Sequence, residues 1–123
     1  MPFPAEPQLL GLPSQTINLV DAAVAIAVDT SGYDVTAFGG FQLKLERRLV
    51  IVDKTGVLAD WRVHCKAPTL ITEKNVMGAP HPEIARRLPL KSYSEALREL
   101  SLLLARLYMV SYDCESVLNA LRL

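Results

Sequence analysis

Cysteine is scarce in this chain. Its two copies, Cys65 and Cys114, stand far apart and without a C-x-x-C spacing. That rules out a dense disulfide scaffold and favours free thiols in a reducing compartment. Long apolar runs are missing too: none reaches the roughly 18–20 residues that a membrane span needs. The opening residues, MPFPAEP, lack the positive flank and apolar core of a secretory signal. A cytosolic protein with no membrane partner is expected. Charge of one sign is also lacking, since 13 Lys and Arg balance 13 Asp and Glu. Any affinity for nucleic acid must therefore come from cations gathered on one face.

Chemical machinery is equally sparse. There is no glycine-rich phosphate loop, no legible nucleophile with its base, and no pair of carboxylates that the sequence places together. His64 and Cys65 are adjacent, so on a strand their side chains point to opposite faces and cannot share a metal ion. His81 sits between prolines and reads as a loop residue. Asp21, Asp29, Asp34 and Asp53 fall near turns, where aspartate bends and caps the chain. The chain reads as a non-enzyme, with no cofactor and no metal.

What is present is apolar patterning. Half of the 123 residues are apolar, enough for one domain with a core and high for a small soluble monomer, which suggests an oligomer. The organising stretch is Leu45 to Pro68, LERRLVIVDKTGVLADWRVHCKAP. Its period-two alternation predicts two half-buried strands joined by a turn. Leu49, Ile51, Trp61 and Val63 share one face. Arg48, Val50, Val52, Arg62, His64 and Lys66 share the other, which is largely basic. A three-residue loop at Lys54-Thr55-Gly56 keeps these parities matched, with Gly56 supplying a positive φ.

Around this hairpin, residues 1–13 carry four of the eight prolines and read as an extended arm. Thr16–Val20, Asp21–Val28 and Asp34–Phe38 read as strands, Gly39-Gly40 as a bend, and Phe41–Val52 as one long strand. Pro68–Pro82 reads as a loop and Glu83–Leu88 as a last strand ended by Pro89. From Ser92 the period becomes helical. Ser92 with Glu95 fits a capping box. Leu97, Leu100, Leu104 and Leu107 form an apolar stripe at helical spacing. A second helix is expected from Asp113, with Val117, Leu118 and Leu121 as its apolar side. The fold class is α+β: an antiparallel sheet over residues 14–89, then two C-terminal helices over 92–123.

The order of these parts resembles the coat proteins of single-stranded RNA bacteriophages, the levivirus type. Three stretches carry the likeness: LERRLVIV (45–52), WRVHCKAPT (61–69) and EIARRLPLKSYSEALRELSLLL (83–104). The resemblance implies an intertwined homodimer whose helices lie over the partner's sheet, with Leu97, Leu100, Leu104 and Leu107 at the dimer interface. It implies a virion protein that assembles in the host bacterial cytoplasm into an icosahedral shell, with the sheet facing single-stranded viral RNA. It also implies an RNA hairpin bound in translational repression. Carried over by position, the RNA-facing residues are Arg48, Val50, Val52, Arg62, His64, Lys66 and Arg87. Small hydroxyl residues are frequent in the family where Val50 and Val52 stand, so general packaging is expected to outweigh hairpin selection. The resemblance puts the loop at 70–82 on the shell's symmetry axes. A second reading needs no virion: a small homodimeric α+β module that binds a protein or small ligand through its helices or its sheet. Its product is a dimer, whereas a coat protein gives particles.

Overall fold

Alternation in the sequence becomes a mostly antiparallel sheet, with helices over one of its faces. The structure, a computed structural model, describes residues 14–29, 35–70 and 87–123. The expected arm at 1–13, most of the loop at 70–82 and the first residues of the expected last strand lie outside these. The strands are β1 (Ser14–Leu19), β2 (Val24–Asp29), β3 (Val35–Phe38), β4 (Phe41–Asp53), β5 (Gly56–Leu70) and β6 (Leu90–Lys91). Two helices follow, α1 (Tyr93–Tyr108) and α2 (Cys114–Ala120). The sheet runs β1-β2-β4-β5-β6, and β3 pairs with β4. β2 borders β4 from Leu49 to Asp53 and β3 borders it from Phe41 to Lys44.

The helices cover the face formed by Val24, Ile26, Val28, Leu49, Ile51, Ala59 and Val63. Against it pack Ala96, Leu100 and Leu104 of α1, Cys114 and Leu118 of α2, and Leu121 and Leu123. Each fully buried leucine contributes about 1.5–3 kcal/mol. The opposite face of β2 and β4 is also buried, as a smaller cluster of Ala25, Ala27, Val50 and Val52. Burial on both faces explains the unbroken VAIAV run of β2, with large side chains towards the helices and alanines away from them. β2 begins later than the sequence suggested, because Val20–Ala23 forms a turn with Ala23 at φ 54°.

The central hairpin keeps its parity by another route than a three-residue loop. Asp53 pairs with Gly56, leaving a two-residue turn at Lys54-Thr55, with Gly56 at φ 131°. Val52 then faces Val57 and Ile51 faces Ala59, so Leu58 has no opposite number. This bulge restores the register that an even turn would have broken. β5 continues through Pro68 to Leu70, where a loop was expected.

Of the last strand expected at 83–88, only Arg87 and Leu88 are among the described residues. Arg87 is helical and Leu88 is outside any strand. β6 follows Pro89 and runs parallel to β5, pairing Leu90 with Arg62. The Arg62 backbone N–H donates to the Pro89 carbonyl at 2.9 Å. The helix ends agree with the sequence. Ser92 Oγ accepts from the Glu95 N–H at 3.1 Å, and the Asp113 carboxylate accepts from the Ser116 N–H at 3.2 Å. These satisfy donors that the first turns leave open. α1 stops at Met109, which is left-handed at φ 55°.

In this single chain the helices close over the chain's own sheet. Leu100 and Leu104 are taken up in that core and Leu97 packs at its edge. Only Leu107, 52 % exposed, remains open from the stripe that was assigned to a dimer interface.

Candidate nucleic-acid interface

The candidate surface is the face of β4 and β5 turned away from the helices. Register sets its layout: Glu46 faces His64, Arg48 faces Arg62, and Val50 faces Asp60. Directly opposed like charges destabilise an antiparallel pair. Here each arginine turns diagonally to a carboxylate. Arg48 makes a two-pronged contact with Asp60, Nε to Oδ1 at 2.8 Å and Nη2 to Oδ2 at 2.6 Å. Arg62 donates from Nη1 to Glu46 Oε1 at 3.3 Å and from Nε to the Leu88 carbonyl at 3.2 Å. Two cations therefore meet two anions. Glu46 and Arg48 are buried, Arg62 and Asp60 half-buried, and His64 exposed.

The largely basic face expected from sequence also carries Glu46 and Asp60, and several of the expected residues lie elsewhere or are buried. Val50 and Val52 are 2 % and 4 % exposed and cannot meet RNA in this conformation. Arg48 is buried and held by Asp60. Lys66 lies with the helices: its Nζ is 3.4 Å from Glu115 and 5.5 Å from the Tyr93 ring centre. Its backbone N–H donates to the Leu123 carbonyl at 3.0 Å. The physical reason is a second register shift. His64 pairs with Glu46 but Thr69 pairs with Lys44, so the residues between them leave the alternation. Arg87 is exposed, but on helical backbone rather than on a strand beside Arg62. Of the seven expected residues, Arg62 and His64 remain together as polar groups that reach the surface of this face.

Glu46 and Asp60 are the residues that sequence reading missed, although both have the same even parity as the arginines they neutralise. Lys91 was missed as well. It pairs with Glu99 at 2.6 Å, and its Nζ lies 5.0 Å from the Trp61 ring centre, fastening β6 to α1. Cys65 and Cys114 are not joined in a disulfide. Among the described residues no group of His, Cys, Asp and Glu could hold a metal ion, and no helix is long and apolar enough to cross a membrane.

A phosphate approaching this face would meet Arg62 and His64 first and would compete with Glu46 for the Arg62 guanidinium. Contacts of that kind are electrostatic, independent of sequence and sensitive to salt. Set against protein-family models, curated proteins and solved structures, the chain matches none of them.

Proposed function

We propose that the chain is a shell subunit of the kind found in single-stranded RNA bacteriophages, a structural protein that dimerises, assembles into closed particles and packages RNA without strong selection. The observation that carries this reading is the order of parts. A sheet built around one long hairpin, β4 with β5, is followed by two C-terminal helices that close one face. Arg62 and His64 on the other face offer a modest phosphate contact. The buried valines leave no reach there for base-specific recognition through positions 50 and 52. In the intertwined form, α1 and α2 would exchange between two copies and make against the partner the contacts described within one chain, a low-cost route to a dimer.

One observation favours the second reading, a dimeric interaction module outside any virion. Both arginines of the candidate face are matched by carboxylates, which leaves little net positive potential for a polyanion. The deciding experiment is electron microscopy and light scattering of the overexpressed protein, followed by nuclease treatment. Closed particles containing protected RNA support the shell subunit. A species near twice 13.6 kDa with no nucleic acid supports the module and overturns the shell reading.

A further inference from the structure

We propose that RNA held at Arg62 loosens the start of β6, because its phosphate and the Leu88 carbonyl need the same edge of one guanidinium. This rests on the proposed reading of the face and adds a regulation to it. Arg62 is a junction. Its backbone N–H donates to the Pro89 carbonyl at 2.9 Å, and its Nε donates to the Leu88 carbonyl at 3.2 Å. Leu90 then pairs with Arg62 and Lys91 with Val63, a strand of two residues. One arginine thus ties the entry to α1 onto β5 through both its main chain and its side chain.

A guanidinium can take a phosphate in a two-pronged contact along either of two edges. The end-on edge is Nη1 with Nη2, and the side-on edge is Nε with Nη2. Arg48 shows the second in use, with Nε and Nη2 on the two oxygens of Asp60. On Arg62 the end-on edge already carries Glu46, whose side chain is 6 % exposed, at 3.3 Å from Nη1. A phosphate there sets an anion against a buried anion. The side-on edge carries a neutral acceptor, the Leu88 carbonyl. Leu88 belongs to no helix or strand, so its carbonyl can turn to water at low cost.

Phosphate therefore takes Nε and Nη2, leaves Glu46 on Nη1 and releases Leu88. A contact ionised on both sides replaces one ionised on the arginine side only, which favours the exchange. What then holds the start of β6 is backbone pairing over two residues, with Lys91 fixed by Glu99 and by the Trp61 ring. The loosening is confined to the residues before Lys91, and Leu100 and Leu104 of α1 stay in the core. By linkage, whatever holds Leu88 down weakens RNA at Arg62 by the same factor.

The test is hydrogen exchange read by mass spectrometry on the full chain, with and without an oligouridylate at low salt, and filter binding to fix the bound fraction. Exchange over residues 88–91 should rise roughly threefold or more with RNA, while exchange over 97–104 should not change. Arg62→Lys keeps a charge but lacks the fork, so its 88–91 exchange should be high without RNA and gain little from it. Glu46→Gln opens the end-on edge, so the rise should shrink although RNA binds more tightly. A rise that grows with affinity in Glu46→Gln overturns the inference. So does RNA binding that depends on Arg62 yet leaves 88–91 unchanged or slower in the wild type, a result that leaves the reading of the face standing. No bound RNA, or Arg62→Ala binding as tightly as the wild type, overturns both. The wild-type measurement decides even if a variant fails to fold by circular dichroism.

Discussion

The Tyr108 hydroxyl donates to the Asp53 carboxylate and ties the last turn of α1 to the β4–β5 turn. Burial pushes the Asp53 carboxyl up, but hydrogen bonds from Thr55, Tyr108 and the Thr55 and Gly56 backbone together hold it below its ordinary 3.8. Burial, the hydrogen bond to Asp53 and the Asp53 charge push the Tyr108 phenol up to about 12. The stability tied to Asp53 is present above its ordinary value and is lost as pH falls below it. The part tied to Tyr108 is present below its ordinary 10.0 and is lost as pH rises towards 12. Tyr108→Phe should cost about 1–2 kcal/mol at neutral pH and flatten the alkaline limb. Urea unfolding across pH measures both; an unchanged alkaline limb would rule out the linkage.

The Arg48–Asp60 contact gives a second prediction. Asp60→Ala should destabilise by about 1–3 kcal/mol, because a largely buried guanidinium loses its anion. Replacing both partners, Arg48→Met with Asp60→Leu, should come back to within about 1 kcal/mol of the wild type. A double-mutant cycle in urea reads the coupling. Additive losses would mean that the pair does not act as a unit.

Two leucines of one stripe should behave differently. Leu104 is in the core and Leu107 is half in solvent. Leu104→Ala should cost about 2–5 kcal/mol, and Leu107→Ala should stay within about 0.5 kcal/mol. Leu104→Asp should abolish soluble protein. Equal effects at 104 and 107 in thermal unfolding would contradict the packing described.

Removing the competitor for Arg62 should strengthen RNA binding. Glu46→Gln is expected to raise affinity for single-stranded RNA and steepen its fall between about 50 and 200 mM salt. Arg62→Ala should lower affinity, and so should His64→Ala. Lys66→Ala, on the helix side, should match a control such as Arg98→Ala. Filter binding separates these cases. If Lys66 and Arg62 prove equivalent, this face is not the site.

Met109→Gly should stabilise the chain by about 0.5–1 kcal/mol by relieving the left-handed backbone. Thermal melts of the variant beside the wild type measure the gain; an unchanged or lower melting temperature would contradict it.

The sequence made the strand and helix periods legible, and with them Leu49, Ile51, Val63, Leu100 and Leu104 as core. Ser92 and Asp113 announced the helix starts through side chains that cap their own first turns. What stayed hidden depended on register. Matched parities at Leu49 and Trp61 arise equally from a three-residue loop or from a two-residue turn with a bulge, and residue order cannot choose between them. Lys66 was misplaced because alternation was extended across a shift that only the β4–β5 pairing reveals. The diagonal reach of Arg48 to Asp60 and of Arg62 to Glu46 was available from parity. It is hidden only where the cations are considered without the anions on the same face. That the helices cover their own sheet is a matter of connection in space, which apolar spacing alone does not encode.

The pairing pattern also bears on how the chain reaches this state. Three of the four antiparallel pairings, β1 with β2, β3 with β4 and β4 with β5, join consecutive strands, and only β2 with β4 skips one. Hairpins of this kind close in microseconds from their turns, so most of the sheet can zip up from Gly39-Gly40 and Lys54-Thr55 with little loop entropy to overcome. The pairing of Leu90 with Arg62 is non-local, so we expect it to form after the hairpins and to bring the helices down onto the apolar face of the sheet. For that interval the nascent sheet is open to any other copy that carries the same helices.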